Sequence, residues 1–361
     1  MSASRRPRAL SPNRPARPNR PGVPARSDSP LHTGAGPTAA GLLLGYLADR
    51  WFGDPRRGHP VAGFGRAAGA LEHLLWRDHR AVGAAFTTLA VVGTAVPAAL
   101  AERRLGPVGR AAATAAAAWA VLGGASLGRE ALRVGAALEA GDLARARESL
   151  PRLCGRDPNA LDADGIARAV VESVAENTSD AVVGALVWGA VAGVPGLVGF
   201  RAVNTLDAMV GHRSRRYARF GWASARLDDL VGLPGARLTA LLAVVLGPDP
   251  GGALRARRVD GGRHPSPNAG PVEAAFAGAL GLRLGGTLSY DGRVEHRPVL
   301  NAAGRAPEAG DIARTVRLSR RVGAAALAVT VLGALITGAG RAGGAGRTRP
   351  TGPTRRPGHG S

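Results

Sequence analysis

Four long apolar stretches set the limits on how this chain can fold: roughly residues 82–100, 108–127, 181–200 and 322–340. Each approaches the ~20 residues that a helix needs to cross a bilayer. Residues 181–200 carry no charge at all. Two shorter apolar segments, 38–48 and 236–247, sit at the lower limit and read as re-entrant, interfacial or tilted partners. Within a membrane the backbone must satisfy its own hydrogen bonds, so such spans are helices. They are rich in Ala and Gly, and small residues four apart, such as Gly189 and Gly193, let helices approach closely. Few stretches alternate as strands do. The expected fold is mainly α: a multi-pass α-helical integral membrane protein with interfacial helices and polar cytoplasmic loops. One membrane domain over 37–340 is expected, and a soluble protein with alanine-rich core helices is the competing reading.

The 361-residue chain has a formal charge of +21, and every basic residue is arginine. Without lysine there is no Walker-A lysine under a phosphate and no lysine Schiff base. Residues 1–36 hold seven arginines against Asp28, and 341–361 hold five arginines and no acid. Both tails are rich in Pro, Gly, Ser and Arg and are expected to be disordered. They lack interleaved aromatics, so no nucleic-acid partner is expected; an incidental or lipid-facing role is preferred. The lone Cys154 excludes a disulfide framework and a cysteine zinc site. No cleaved signal peptide is read at the start. Arginines at 50, 56, 57 and 66, and those crowding 201–237 and 255–263, place these loops in the cytoplasm by the positive-inside rule. Arg103 and Arg104 conflict with strict alternation.

Polar segments lie between the spans. EALRVGAALEAGDLARARESL has helical spacing with Gly141 as its turn. Segment 201–235, basic and containing Tyr217, Phe220 and Trp222, suits an interfacial helix.

Four clusters carry the chemistry. In DADGIARAVVESVAENTSD, Ile166, Val170 and Val174 form an apolar stripe, with Glu172, Glu176 and Asp180 on the other side beside Ser173 and Asn177. Like charges four apart repel, so this is either a cation site, suited to Mg²⁺, or a solvated face with Arg168 paired to Glu172. In FRAVNTLDAMVGHRSRRYARFGWASARLDDL, Asn204 and Asp207 share a face directly after a span. There Arg213, Arg215, Arg216 and Arg219 suit phosphate or carboxylate, or else anchor the loop. Asp228 and Asp229 close that segment before Pro234. In RHPSPNAGPVEAAFAGALGLRLGG, Pro271 and Glu273 are expected at the first and third positions of a helix. His264, Ser266 and Asn268 precede that N-terminus, as an anion site or as ordinary caps. DRWFGDPRRGHPVAGFGR sets Asp49, Asp54, His59 and Arg66 in a Gly/Pro-rich loop, and GFGRAAG misses the dinucleotide spacing.

In this order, GDPRRGHPVAGFGR, ESVAENTSD, RAVNTLDAMVGHRSRRYARFGWASARLDDL with GARLTALL, and RHPSPNAGPVEAAFAGALGLRLGG resemble the CobD/CbiB family of cobalamin biosynthesis proteins. These are the adenosylcobinamide-phosphate synthases. The resemblance covers roughly residues 40–300, and NTLDAMVG and HPSPNAG are its most specific elements. It implies a multi-pass cell-membrane enzyme that joins (R)-1-amino-2-propanol, or its O-phosphate, to the free propionate of adenosylcobyric acid. The bond is an amide, with ATP as the expected driving force. Which residues act is not settled by the resemblance. From the chemistry, the candidate catalytic residues are Glu172, Glu176, Asn177 and Asp207. The candidate substrate and phosphate ligands are Arg201, Asn204, Arg215, Arg216, Arg263, His264, Ser266 and Asn268. Glu176 and Asp180 are the candidate Mg²⁺ ligands. Expected partners are the corrinoid, the aminopropanol, the lipid bilayer and other late cobalamin enzymes of the membrane. A transporter, or a non-catalytic scaffold for corrinoid enzymes, is the alternative.

Overall fold

The computed structural model describes residues 35–345 except 56, 57, 213, 291 and 292; the side chains of 287–295 and 337–345 are left aside. The expected disorder of both tails falls almost entirely outside the described residues. Twelve helices and one hairpin make up the described chain: α1 Ala35–Phe52, α2 Pro60–Leu75, α3 Arg80–Arg103, α4 Pro107–Val121, α5 Gly124–Glu139 and α6 Leu143–Ser149. Then come α7 Ala163–Thr178, α8 Gly184–Leu206, α9 Trp222–Leu246, α10 Pro250–Asp260, α11 Ala269–Leu280, strands β1 Leu284–Tyr290 and β2 Arg293–Leu300, and α12 Ala309–Ala345. Five helical stretches are long and apolar enough to cross a membrane: Arg80–Arg103, Pro107–Glu139, Ala163–Gly211, Trp222–Leu246 and Ala309–Ile336. The protein is a mainly α, multi-pass membrane protein.

Small residues do much of the packing. Gly41 and Gly45 of α1 lie directly against Thr114 and Ala118 of α4, so any larger side chain there would separate the two helices. The apolar stripe Ile166, Val170 and Val174 is fully buried in the main core. α12 packs along α1, α5 and α7. Gly141 has a φ of 72° and turns the chain between α5 and α6.

Three expectations need correction. The apolar run 181–200 is not one straight span. Gly193 adopts φ 63°, ψ −142°, a conformation that favours glycine, and breaks α8 into two arms. The arms fold back on each other, because the Phe200 ring lies on Gly184 and Leu197 lies on Gly189. Gly193 is therefore a hairpin tip with Glu102 of α3 lying against it, while Gly189 packs on Leu42 of α1. The segment 236–247 is no short re-entrant piece; it is the second half of α9, which runs on through Pro234. Segment 201–235 is not an interfacial helix either, since it holds the end of α8, irregular turns and the first half of α9.

The hairpin brings distant acids together. Each arm joins a π-helical turn, Ser179–Val183 before the tip and Asp207–Gly211 after it. Such turns widen the helix locally and re-aim side chains, and they recur at functional sites. α9 crosses at the same level: Gly235 sits so close to Gly184 that a Cβ would lie 2.7 Å from its Cα.

Candidate functional site

Asp180 and Asp207 lie in the two π turns and are within electrostatic reach of each other. Asp228, on α9, faces both, and Asp229 reaches Asp207. Glu176, one turn before Asp180, joins the same field. Glu176, Asp180, Asp207, Asp228 and Asp229 thus form one electrostatically linked group of carboxylates. Arg201 stands beside it, within reach of Asp180 and of Asp54 from the loop after α1, and its Nη1 donates to Asn204 Oδ1 at 3.3 Å. Asn204 in turn lies near the Asp228 carboxylate. Two of the four sequence clusters, with Asp54 from a third, therefore meet here.

Glu172 is buried, and its surroundings rule out a solvated face at that position. One carboxylate oxygen takes the Arg156 guanidinium in an ion pair, and the other accepts the Gly285 amide at 2.7 Å. The Gly285 amide is available because β1 and β2 pair antiparallel with a bulge between Leu284 and Gly286. A bulge leaves an extra residue outside the ladder and bends the strand. Arg168 is not the partner of Glu172. Asn177 is turned back on its own helix, donating to the Ser173 carbonyl at 2.9 Å.

The loop before α11 differs from its expected form. The helix begins at Ala269, so Pro271 and Glu273 are its third and fifth residues. Asn268 does not cap it: its Nδ2 donates to the Asp229 carbonyl at 2.9 Å and fastens the loop to α9. Ser266 Oγ accepts the amides of Asn268 and Ala269, both at 3.2 Å, so the hydroxyl covers the N-terminal donors. His264 Nδ1 accepts the Ser266 amide at 3.1 Å. Burial, and then the Arg297 guanidinium, hold this imidazole below its ordinary pKa, so it is neutral at pH 7. Its proton therefore sits on Nε2, 3.4 Å from Arg297 Nη1. Two donors side by side suit an anionic oxygen better than each other.

Arg297 also separates two chambers. It lines a cavity of about 660 Å³ together with His212, Tyr217, Trp222, Asp229 and Ser266. It lines a smaller pocket of about 190 Å³ with Cys154, Arg156, Glu172, Glu176 and Glu273. Glu273, on α11, is 4 % exposed. Its carboxyl is pushed well above the ordinary range by burial and by the charges of Glu172 and Glu176. Among the described residues, no three acids, histidines or cysteines converge closely enough to hold a metal ion.

Three proposed cations, Arg215, Arg216 and Arg263, are in the lining of neither chamber. Arg216 Nη2 pairs with Glu72 at 3.1 Å, and its guanidinium lies 4.6 Å over the Trp76 ring. With Tyr217 donating to the same Glu72 oxygen at 2.8 Å, this cluster ties α2 to the loop after α8. Arg263 is held by Asp260 at 3.1 Å, and Arg215 is exposed. Sequence reading missed Glu72, Arg156, Arg297 and the hairpin that carries Arg297. Tyr-Asp-Gly-Arg at 290–293 was the available signal, since Asp-Gly between strand-like runs favours a tight hairpin.

The profile of the CobD/Cbib protein family matches residues 42–319. The chain is 53 % identical over 300 residues to the cobalamin biosynthesis protein CobD of Mycobacterium tuberculosis strain CDC 1551, covering 81 % of this chain and 96 % of that one. It is 45 % identical over 271 residues to CobD of Rhodobacter capsulatus, covering 74 % and 86 %. For CobD of Chromobacterium violaceum the identity is 43 % over 290 residues, covering 78 % and 91 %. No solved structure matches. A match of this extent, over the helices and loops that build the acidic cleft, makes the chain a member of the CobD/CbiB family of cobalamin biosynthesis proteins.

Proposed function

We propose that this protein is an ATP-dependent, amide-forming ligase of cobalamin biosynthesis. It joins (R)-1-amino-2-propanol, or its O-phosphate, to the free propionate carboxylate of adenosylcobyric acid. The observation that carries this reading is the cleft itself. Carboxylates in mutual electrostatic reach, Glu176–Asp180–Asp207–Asp228, have Arg297 near Glu176 and Arg201 near Asp180, and Arg297, with Asp229 and beside His264, also lines a cavity of about 660 Å³.

Amide formation from a carboxylate requires its oxygen to be made a leaving group. The carboxylate oxygen attacks the terminal phosphorus of ATP and ADP departs. The amine nitrogen then attacks the acyl carbon, phosphate leaves, and the nitrogen gives up a proton. Each step concentrates negative charge on oxygen, where Arg297 and the His264 Nε2–H supply charge and hydrogen bonds. Arg201 is held by Asn204 and lies opposite Asp54 and Asp180, so it adds positive charge at the inner end of the cleft. Asp228 lies near Asn204 and Asp207 at that end.

The donor set fits Mg²⁺, which takes one or two carboxylates and completes its shell with water and phosphate oxygens. Asp180 and Asp207, with Glu176 in reach, would hold it, and it would neutralise the nucleotide phosphates. Such a site needs no three converging protein ligands. The cell membrane, with the cleft on the cytoplasmic side where ATP is available, is the matching location.

The test is reconstitution in detergent with adenosylcobyric acid, the aminopropanol or its phosphate, and Mg-ATP. With ¹⁸O in the substrate carboxylate, one label should appear in released phosphate for each amide formed. Label in AMP would replace the phosphoryl route with adenylation. No amide with either amine would end the ligase reading.

A further inference from the structure

The smaller chamber is unlike the rest of the cleft. Its walls carry three carboxylates, Glu172, Glu176 and Glu273, against two guanidiniums, Arg156 and Arg297. Glu172 is already taken by Arg156 and the Gly285 amide. Glu273 is 4 % exposed and has no hydrogen bond or ion pair among the described residues. A buried carboxylate without a partner is costly, and a cation placed against it removes that cost.

Size restricts which cation. A pocket of about 190 Å³ has room for roughly six water-sized volumes of about 30 Å³ each. That accommodates a short aminoalkanol and excludes a corrin ring. The position also matters. Arg297 lines both chambers, so a small nucleophile here would face a larger substrate in the 660 Å³ cavity across a single side chain.

We infer that the pocket between α7, α11 and β2 is the subsite for the amine substrate, binding a short aminoalkanol through its ammonium group against Glu273. The inference rests on the amide-forming reading above and assigns to Glu273 the recognition of the nucleophile. The O-phosphate form would place its phosphate towards Arg297 and the His264 Nε2–H.

Cys154 is the only cysteine in the chain and lines this pocket, so it reports occupancy directly. Burial pushes its thiol above the ordinary range, so labelling with a small methanethiosulfonate is done at mildly alkaline pH. With detergent-purified full-length protein, (R)-1-amino-2-propanol and its O-phosphate should each slow labelling saturably, and 1,2-propanediol should not. In Glu273→Gln the KM for the amine should rise about tenfold or more, as expected for losing a charged hydrogen-bond partner. The KM for the corrinoid and for ATP should stay near wild type, and protection of Cys154 should weaken in step. Equal labelling with and without amine overturns the subsite. So does an unchanged amine KM in a folded Glu273→Gln protein. If that variant fails to fold, the protection measured on wild type decides alone. Should wild type make no amide at all, the ligase reading falls, while amine protection of Cys154 would still support an ammonium pocket.

Discussion

Asp311, at the start of α12, and Glu273, on α11, are both almost completely buried, at 1 % and 4 % exposure. Their surroundings are opposite. Asp311 accepts Arg305 Nη1 at 2.6 Å and Nη2 at 2.8 Å, Arg314 Nη1 at 2.6 Å, and the Glu308 amide at 3.0 Å. Every lone-pair direction of that carboxylate has a donor. Glu273 has none among the described residues, and its nearest charges include two more acids. The contrast separates acids that hold the fold from acids that wait for a ligand. A chain with 47 arginines does not lack cations for the cleft; it places them elsewhere.

The comparison can be broken in order of effect. Asp311→Ala strands two guanidiniums and should cost about 3 kcal/mol, the lower range for removing one partner of a buried ion pair. Thermal unfolding in detergent measures it, and the amide-forming rate at permissive temperature should be retained. An unchanged melting temperature would show that full bonding does not mark a structural acid. Asn268→Ala loses the bond to the Asp229 carbonyl and should cost about 1 kcal/mol. The same melt reads it, and a loss of phosphate-substrate affinity without loss of stability would contradict its role as a fastener. Glu273→Gln should have the smallest effect and the opposite sign. A carboxyl whose folded pKa is raised stabilises fully below its unfolded value, near 4.5, and that stability is lost as pH rises through the folded value. The Gln variant escapes that loss. Its melting temperature should match wild type in acid and exceed it increasingly towards pH 8. A Gln variant that melts increasingly below wild type as pH rises would mean that Glu273 is paired after all.

Composition and pattern exposed the spans and the acidic face, because apolar runs and four-residue spacing are local properties. The hairpin at Gly193 was hidden, since Gly-Val-Pro-Gly at 193–196 reads equally well as small packing residues within a span. That single φ decides whether Asp180 and Asp207 meet, so the sequence named both acids without placing them together. Glu172 looked like part of a solvated face because its partner, Arg156, comes from an irregular loop, and its second donor comes from a β bulge. Arginines were the least legible: Arg156 and Arg297 enter the cleft, whereas Arg216 is spent on Glu72 and Trp76. Nothing in their spacing distinguishes these roles.

We propose that the acids of the site without a protein partner serve the reaction and not the fold. Glu176→Gln, assayed for amide formation across a Mg²⁺ titration beside wild type, tests it most directly. Glu176 is open to the pocket it lines, so the isosteric change should leave the melting temperature equal or higher. Turnover should fall by two orders of magnitude or more, about 3 kcal/mol at 1.36 kcal/mol per tenfold, with partial recovery at high Mg²⁺. Wild-type turnover in a folded Glu176→Gln protein would contradict the claim and return the acidic run to structure.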